Sequence, residues 1–498
     1  MVKDFKRFYR KERDPAMKVE LVLSLQGVED PSVASVMLPI LTDRDPALAE
    51  AALRVVAGLA EPESRVPLAK VLEDGKPKDA IAPIARAAGD GRWAEFGALL
   101  MPYLEDGDDA VRLWAVRALG AIGPPGALEA VAPMATGDPN PMVRVAAVEA
   151  LQALGKGHED VAGPPLVAAL EDADVSVAVA AARALHVVRV KEAVPVLIGI
   201  LEAGEAGKLL EEVWPTLVAL TDAPYNDDPG IWRRWWERVG SQPDYRLPTD
   251  EEIAARREAR EKANAQYHTP KTEAAFMGVP TASRNIVFVI DVSGSMEELV
   301  VDRDAFRQRG FTSFHKLDIV KEELIRSIEG LGPEVRFNVY AFASKVHPWK
   351  KGLVPATALS KKSAIAWVKK LKPIGGGQAA ARASAGLRGS SGLEDGRTNT
   401  HAALLAGLGV PLDPRKRASV TESAADPPEG MGDTMFFLSD GKPTVGELVD
   451  TEDILQAVAD LNRFRKVTIH TIAIGDFTSS FLKKLAEQNG GVFVDLGK

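Results

Sequence analysis

Residues 285–296 read Asn-Ile-Val-Phe-Val-Ile-Asp-Val-Ser-Gly-Ser-Met, an apolar run that stops at Asp291 and passes at once into a polar turn. β-Branched and aromatic residues without polar alternation suit a strand covered on both faces, at the centre of a parallel sheet. A helical pattern follows, with Leu317, Val320, Leu324 and Ile328 on one stripe. Strand followed by helix predicts a doubly wound, Rossmann-like α/β unit. Open sheets of that kind bind ligands beyond the carboxyl ends of their strands, which is where the polar turn falls.

The turn offers one carboxylate, Asp291, and two hydroxyls, Ser293 and Ser295, at alternate positions; Gly294 lets the backbone curl so that all three face one hollow. A set of oxygen ligands selects a hard cation, and magnesium takes about six oxygens, keeping waters where protein ligands are few. Two later segments supply more oxygens. Residues 396–400, Gly-Arg-Thr-Asn-Thr, precede a helical stretch over 402–408, and residues 435–441, Met-Phe-Phe-Leu-Ser-Asp-Gly, form a second apolar strand ending in an acid.

With these pieces in this order, residues 284–498 resemble the von Willebrand factor A (VWA) domain. They match its metal-ion-dependent adhesion site residue by residue: Asp291, Ser293 and Ser295 as the first motif, Thr398 as the threonine, Asp440 as the second aspartate. The resemblance implies Mg2+ or Mn2+ at these five residues and a protein partner whose exposed Asp or Glu completes the ion's shell. One departure is that the glycines usually next to the threonine, here Gly375, Gly376 and Gly377, are cut off from Thr398 by an inserted loop over 378–396. Further inserted loops are expected over 297–315 and 413–432, and long irregular loops are usually functional or disordered. Arg397 and His401, either side of this threonine segment, are expected to be solvated loop residues.

Ahead of this domain the pattern changes. Ala115-Val116-Arg117-Ala118-Leu119, Ala147-Val148-Glu149-Ala150-Leu151 and Ala181-Ala182-Arg183-Ala184-Leu185 recur at Leu-to-Leu steps of 32 and 34 residues. Each copy has an apolar helix, an acidic turn and an Ala-rich helix, and stacking such pairs buries a core that no single pair makes. The segment resembles HEAT repeats of the short, bacterial kind, which implies an α-solenoid. Asp228 before Pro229 signals a helix start, and Trp232, Trp235 and Trp236 then fall on one face, as a terminal cap requires. The expected organisation is a helical repeat domain with a Trp-rich cap over 1–240, a linker over 241–283 and the metal-bearing domain over 284–498. Thr249 and Glu252 fit a capping box at the start of a charged, lightly docked linker helix over 253–266.

Charge and motifs narrow the function. Residues 11–220 hold 19 Lys and Arg against 32 Asp and Glu, a balance of −13 beside −9 for the whole chain, and such a surface repels phosphate backbones. Zero cysteines exclude disulfides and thiolate chemistry, which fits the cytoplasm and leaves export open. No run approaches the roughly 20 apolar residues of a membrane span. There is no nucleophile elbow and no His-Glu-x-x-His, so no enzyme is expected. The reading is an interaction scaffold, with a metal site for one partner and the solenoid surface for another. Two alternatives share the arrangement: the Ro ribonucleoprotein family, which threads RNA through a helical ring, and adaptors of MoxR-type AAA ATPases.

Overall fold

The computed structural model describes residues 2–204, 207–223, 225–256, 275–276, 279–308, 310–375, 396–412, 431–474 and 479–496. The linker helix beyond Arg256, most of the expected loop at 378–396 and residues 413–430 of the expected loop at 413–432 lie outside them. The chain divides into two compact units, one built chiefly from Met1–Gln266 and the other chiefly from Tyr267–Lys416 and Pro428–Lys498.

The first unit is helical throughout its described residues. Seven of its helix starts follow one local rule. Asp14, Asp30, Asp45, Asp108, Asn140, Asp174 and Asp228 are N-caps, and each side chain accepts a hydrogen bond from the backbone N–H two residues on. Five of those helices then begin with Pro, whose missing N–H is no loss in a first turn. Each cap is worth about 1 kcal/mol. Part of the acidic excess therefore serves as helix caps.

Helices Ile81–Gly91, Asp109–Ile122, Pro141–Leu154 and Val175–Ala184 pack each against the next. Their separation is set by small residues: a Cβ on Gly89 would lie 2.9 Å from Ala118 Cα, and one on Gly120 would lie 2.7 Å from Ala150 Cβ. Ion pairs join the turns at the same period. Arg112 grips the buried Asp138 through Nε and Nη2 at 2.8 and 3.0 Å, and one repeat later Arg144 grips Asp172 at 2.8 and 2.8 Å. At the carboxyl end of the unit, helix Pro229–Trp235 continues as a π-turn over Trp236–Gly240. Trp232 is fully buried, edge-on to Tyr225 and Trp235, and donates its Nε1 hydrogen to Asn226 O at 2.7 Å. Thr249 and Glu252 form a reciprocal capping box, Thr249 N–H to Glu252 Oε2 at 2.9 Å and Glu252 N–H to Thr249 Oγ1 at 3.3 Å.

The second unit has a small hairpin of β1 (Ala275–Phe276) and β2 (Val279–Pro280), then a seven-stranded sheet. Its strands are β3 (Asn285–Asp291), β4 (Arg336–Phe342), β5 (Val346–Pro348), β6 (Val354–Pro355), β7 (Thr434–Ser439), β8 (Thr468–Ala473) and β9 (Phe493–Asp495). The order is β5-β4-β3-β7-β8-β9, with β6 also on β4. All pairings are parallel except β5 and β6 on β4. β3 and β7, the two apolar runs, lie side by side at the centre, their Phe288 and Phe436 rings stacked at 5.6 Å. This matches the doubly wound fold expected from residues 285–328, and helix Lys316–Gly330 buries Leu317, Ile319, Val320, Leu324 and Ile328.

Residues 297–315 are not the irregular loop expected. Leu299 bridges antiparallel to His315, Val300 N–H donates to Phe314 O at 2.9 Å, and Arg303–Gln308 is a helix. The segment folds because it carries its own apolar anchors: Val300, Phe306 and Phe311 are buried in the core of this unit.

Candidate functional site

The ends of β3 and β7 place Asp291 and Asp440 on adjacent strands at the carboxyl edge of the sheet. Asp291 is fully buried, with each oxygen occupied: Oδ1 accepts from Ser293 N–H at 2.8 Å and Oδ2 from Ser439 Oγ–H at 2.6 Å. Ser293 Oγ and Ser295 Oγ are 3.2 Å apart, and Ser295 Oγ–H donates to Asp440 Oδ1 at 2.7 Å. The two carboxylates are thus linked through the Ser293 backbone and the hydroxyls of Ser293 and Ser295.

Thr398 arrives on a separate loop that is tied to both strand ends. Gly294 N–H donates to Gly396 O at 3.1 Å, Thr398 N–H to Thr444 Oγ1 at 2.9 Å, and Thr444 N–H to Thr398 O at 2.9 Å. Gly441 marks where the pieces meet, since a Cβ built there would stand 3.4 Å from Thr398 Oγ1 and 3.7 Å from Ser295 Oγ. All five residues singled out in the sequence therefore share one neighbourhood, and the missing side chain of Gly441 leaves space beside two of their hydroxyls.

The electrostatics are those of crowded anions. Burial first, and the Asp440 carboxylate second, push the Asp291 carboxyl up to about 7, against the lowering effect of hydrogen bonds from Ser293 and Ser439. Asp440 has a counter-charge of its own: Lys316 Nζ donates to Asp440 Oδ2 at 2.8 Å and to Glu298 Oε2 at 2.8 Å. Burial alone lowers the Lys316 pKa, but these two bonds and charges raise it overall, so the ammonium is kept. Among the described residues no group of three or more His, Cys, Asp or Glu side chains is placed to hold a metal, so a cation here would rest largely on hydroxyls.

Four neighbours were not foreseen: Ser439, Thr444, Gly441 and Lys316. Ser439 and Gly441 flank Asp440 within the same short motif. Lys316 lies 124 positions from Asp440, and nothing local marks it out. His401 departs from expectation, being only 6 % exposed. It is the second residue of helix Thr400–Gly407, which packs against β3 and β4 and is buried almost all round. Arg397 is exposed, as expected.

Comparison with known proteins agrees with this architecture. Residues 97–163 match the family of HEAT repeats and residues 284–495 the von Willebrand factor type A domain. Inter-alpha-trypsin inhibitor heavy chain H4 of Homo sapiens is 29% identical over 216 residues, 43% of this chain and 18% of that protein. Heavy chain H1 of Mesocricetus auratus is 27% identical over 228 residues, 46% of this chain and 19% of that one. The chain thus spans less than a fifth of the length of these curated relatives. A solved von Willebrand factor type A structure from Catenulispora acidiphila has 17% identity and a TM-score of 0.27, covering 43% of this chain and 38% of that one. The protein carries HEAT repeats in its helical half and, over residues 284–495, a von Willebrand factor type A domain.

Proposed function

We propose that residues 284–498 form a metal-dependent adhesion domain that captures an exposed Asp or Glu of a protein partner, and that the helical domain of residues 1–240 offers a second binding surface, the two joined by a linker over 241–283. The observation that carries this reading is that Asp291 holds the Ser293 turn, Ser293 and Ser295 meet at their hydroxyls, Ser295 reaches Asp440, and Thr398 Oγ1 and Ser295 Oγ both border Gly441. The donor set fits Mg2+ or Mn2+. It is all oxygen, and the repulsion that raises Asp291 is what a divalent cation relieves.

Ser293, Ser295 and Thr398 would offer their hydroxyl oxygens to the ion, Ser295 while its proton stays directed at Asp440. Asp291, with both oxygens already accepting hydrogen bonds, acts mainly as a buried countercharge and as the anchor of the Ser293 turn. Asp440 orients Ser295 through its Oδ1. When bound, the ion supplies an open coordination position and positive charge for a carboxylate. With only two protein carboxylates this donor set acidifies water weakly, so the role is binding rather than catalysis.

The test is capture by the intact chain from a lysate of its source, in magnesium, in chelator, and with a Ser293→Ala, Ser295→Ala double variant. A partner held only in magnesium and lost from the variant supports the reading. Partners indifferent to both would overturn it.

A further inference from the structure

Lys316 is an odd residue to find beside a cation site. Its side chain is 10% exposed and that of Asp440 is fully buried, so their 2.8 Å ion pair lies inside the domain, away from solvent screening. On the other side of the ammonium, Glu298 is 67% exposed, where water reduces its influence. Asp440 thus divides its two oxygens: Oδ1 faces Ser295 and the site, Oδ2 is committed to the lysine.

We infer that Lys316 sets the charge of the site: by neutralising one of its two carboxylates it weakens the hold on a divalent cation and leaves the bound ion with net positive charge for an acidic ligand. The count is simple. Two carboxylates cancel a divalent ion, and a capturing ligand then meets a neutral centre. Two carboxylates and one ammonium leave a residual charge of one, which a partner's Asp or Glu cancels. The lysine also commits Oδ2 of Asp440, so that only Oδ1, on the Ser295 side, would be left to face a cation. Lys316 is in this sense a positioning and charge-setting residue that does not itself touch the partner.

This rests on the adhesion reading above. The experiment is titration of the intact chain with Mn2+, followed by calorimetry and by the paramagnetic signal of free Mn2+, for the parent, Lys316→Met, Lys316→Arg and Glu298→Gln. At saturating Mn2+, N-acetyl aspartate is then titrated as the anionic probe. Lys316→Met is expected to bind Mn2+ about tenfold tighter or more, since a unit positive charge a few ångströms from a divalent ion is removed in a poorly screened site. The same variant holds the probe more weakly, a combination that loss of structure does not produce. Lys316→Arg, which keeps the charge, stays near the parent. Glu298→Gln sits on an exposed side chain that folding tolerates, and it shifts Mn2+ binding the other way, weaker by roughly twofold.

If the parent binds Mn2+ and Lys316→Met binds it no tighter, with Glu298→Gln unchanged, the inference fails and the adhesion reading stands. If neither the parent nor any variant binds Mn2+ at millimolar concentration, both fall together.

Discussion

Asp291 is a carboxyl group in an uncomfortable place. It is fully buried and faces a second carboxylate, and its proton is held up to about 7 where an ordinary aspartate releases it near 3.8. In the metal-free protein the folded state therefore binds that proton more tightly than the unfolded chain. The stabilisation is complete below about 3.8 and is lost as pH rises through about 7. Denaturant unfolding in chelator is thus expected to show the sheet-bearing unit losing stability from about pH 4 to about pH 7, with Asp291→Asn flattening that slope. A parent and an Asp291→Asn variant with the same slope would mean that Asp291 holds no raised pKa in the fold. The five candidate residues stand out in the sequence because they sit in short motifs, four at the ends of apolar strands and Thr398 just ahead of a helix. Lys316 does not, because what matters about it is the carboxylate it meets 124 positions away: a lysine opening an amphipathic helix has no distinctive local pattern.

Among elements, spacing between repeats is decided by single atoms. At Gly120 a methyl group would stand 2.7 Å from Ala150 Cβ and 2.9 Å from its backbone Cα, so the neighbouring helix must move. Gly120→Ala is expected to cost about 1–3 kcal/mol by overpacking, which exceeds the gain of about 1 kcal/mol in helix propensity. Gly199 lies within helix Ala193–Ala203 with nothing near a built Cβ, so the same change there should stabilise by about 0.5–1 kcal/mol. Thermal unfolding of the two variants, moving in opposite directions, is the check. The repeats themselves were readable from the Ala-Leu recurrence, because the packing that demands small residues repeats with the helices. The 297–315 segment was misjudged for a related reason. Its apolar residues follow neither a helical nor a strand period, so only the fold shows that Val300, Phe306 and Phe311 share one core with Met296.

Taken whole, the chain has two independent sources of cohesion: stacked helices in one unit and a wound parallel sheet in the other. That division of fold class was legible because the two halves use different hydrophobic periods. Among the described residues no helix is long and apolar enough to cross a membrane. Each unit with its own core is expected to unfold in its own transition. Magnesium at about a hundredfold above its dissociation constant should stabilise the sheet-bearing unit by about 2.7 kcal/mol and leave the helical transition where it is. Differential scanning calorimetry with and without chelator resolves the two, and a single transition moving as one would refute the independence of the units.

The strand order has a further consequence, for the making of the protein. β3 ends at Asp291, but its two neighbours, β4 and β7, both come later in the chain, and Asp440 follows β7. At ribosomal speeds of about 5–20 residues per second, the 149 residues from Asp291 to Asp440 take roughly 7–30 s to appear. Throughout that interval the first half of the candidate site exists without the second, and the most apolar strand of the sheet waits with at least one edge unpaired. The helical repeats, built from contacts between near neighbours in sequence, have no such delay. A newborn chain therefore passes through a stage in which one half is finished and the other is sticky and incomplete. Errors in assembly are to be sought there.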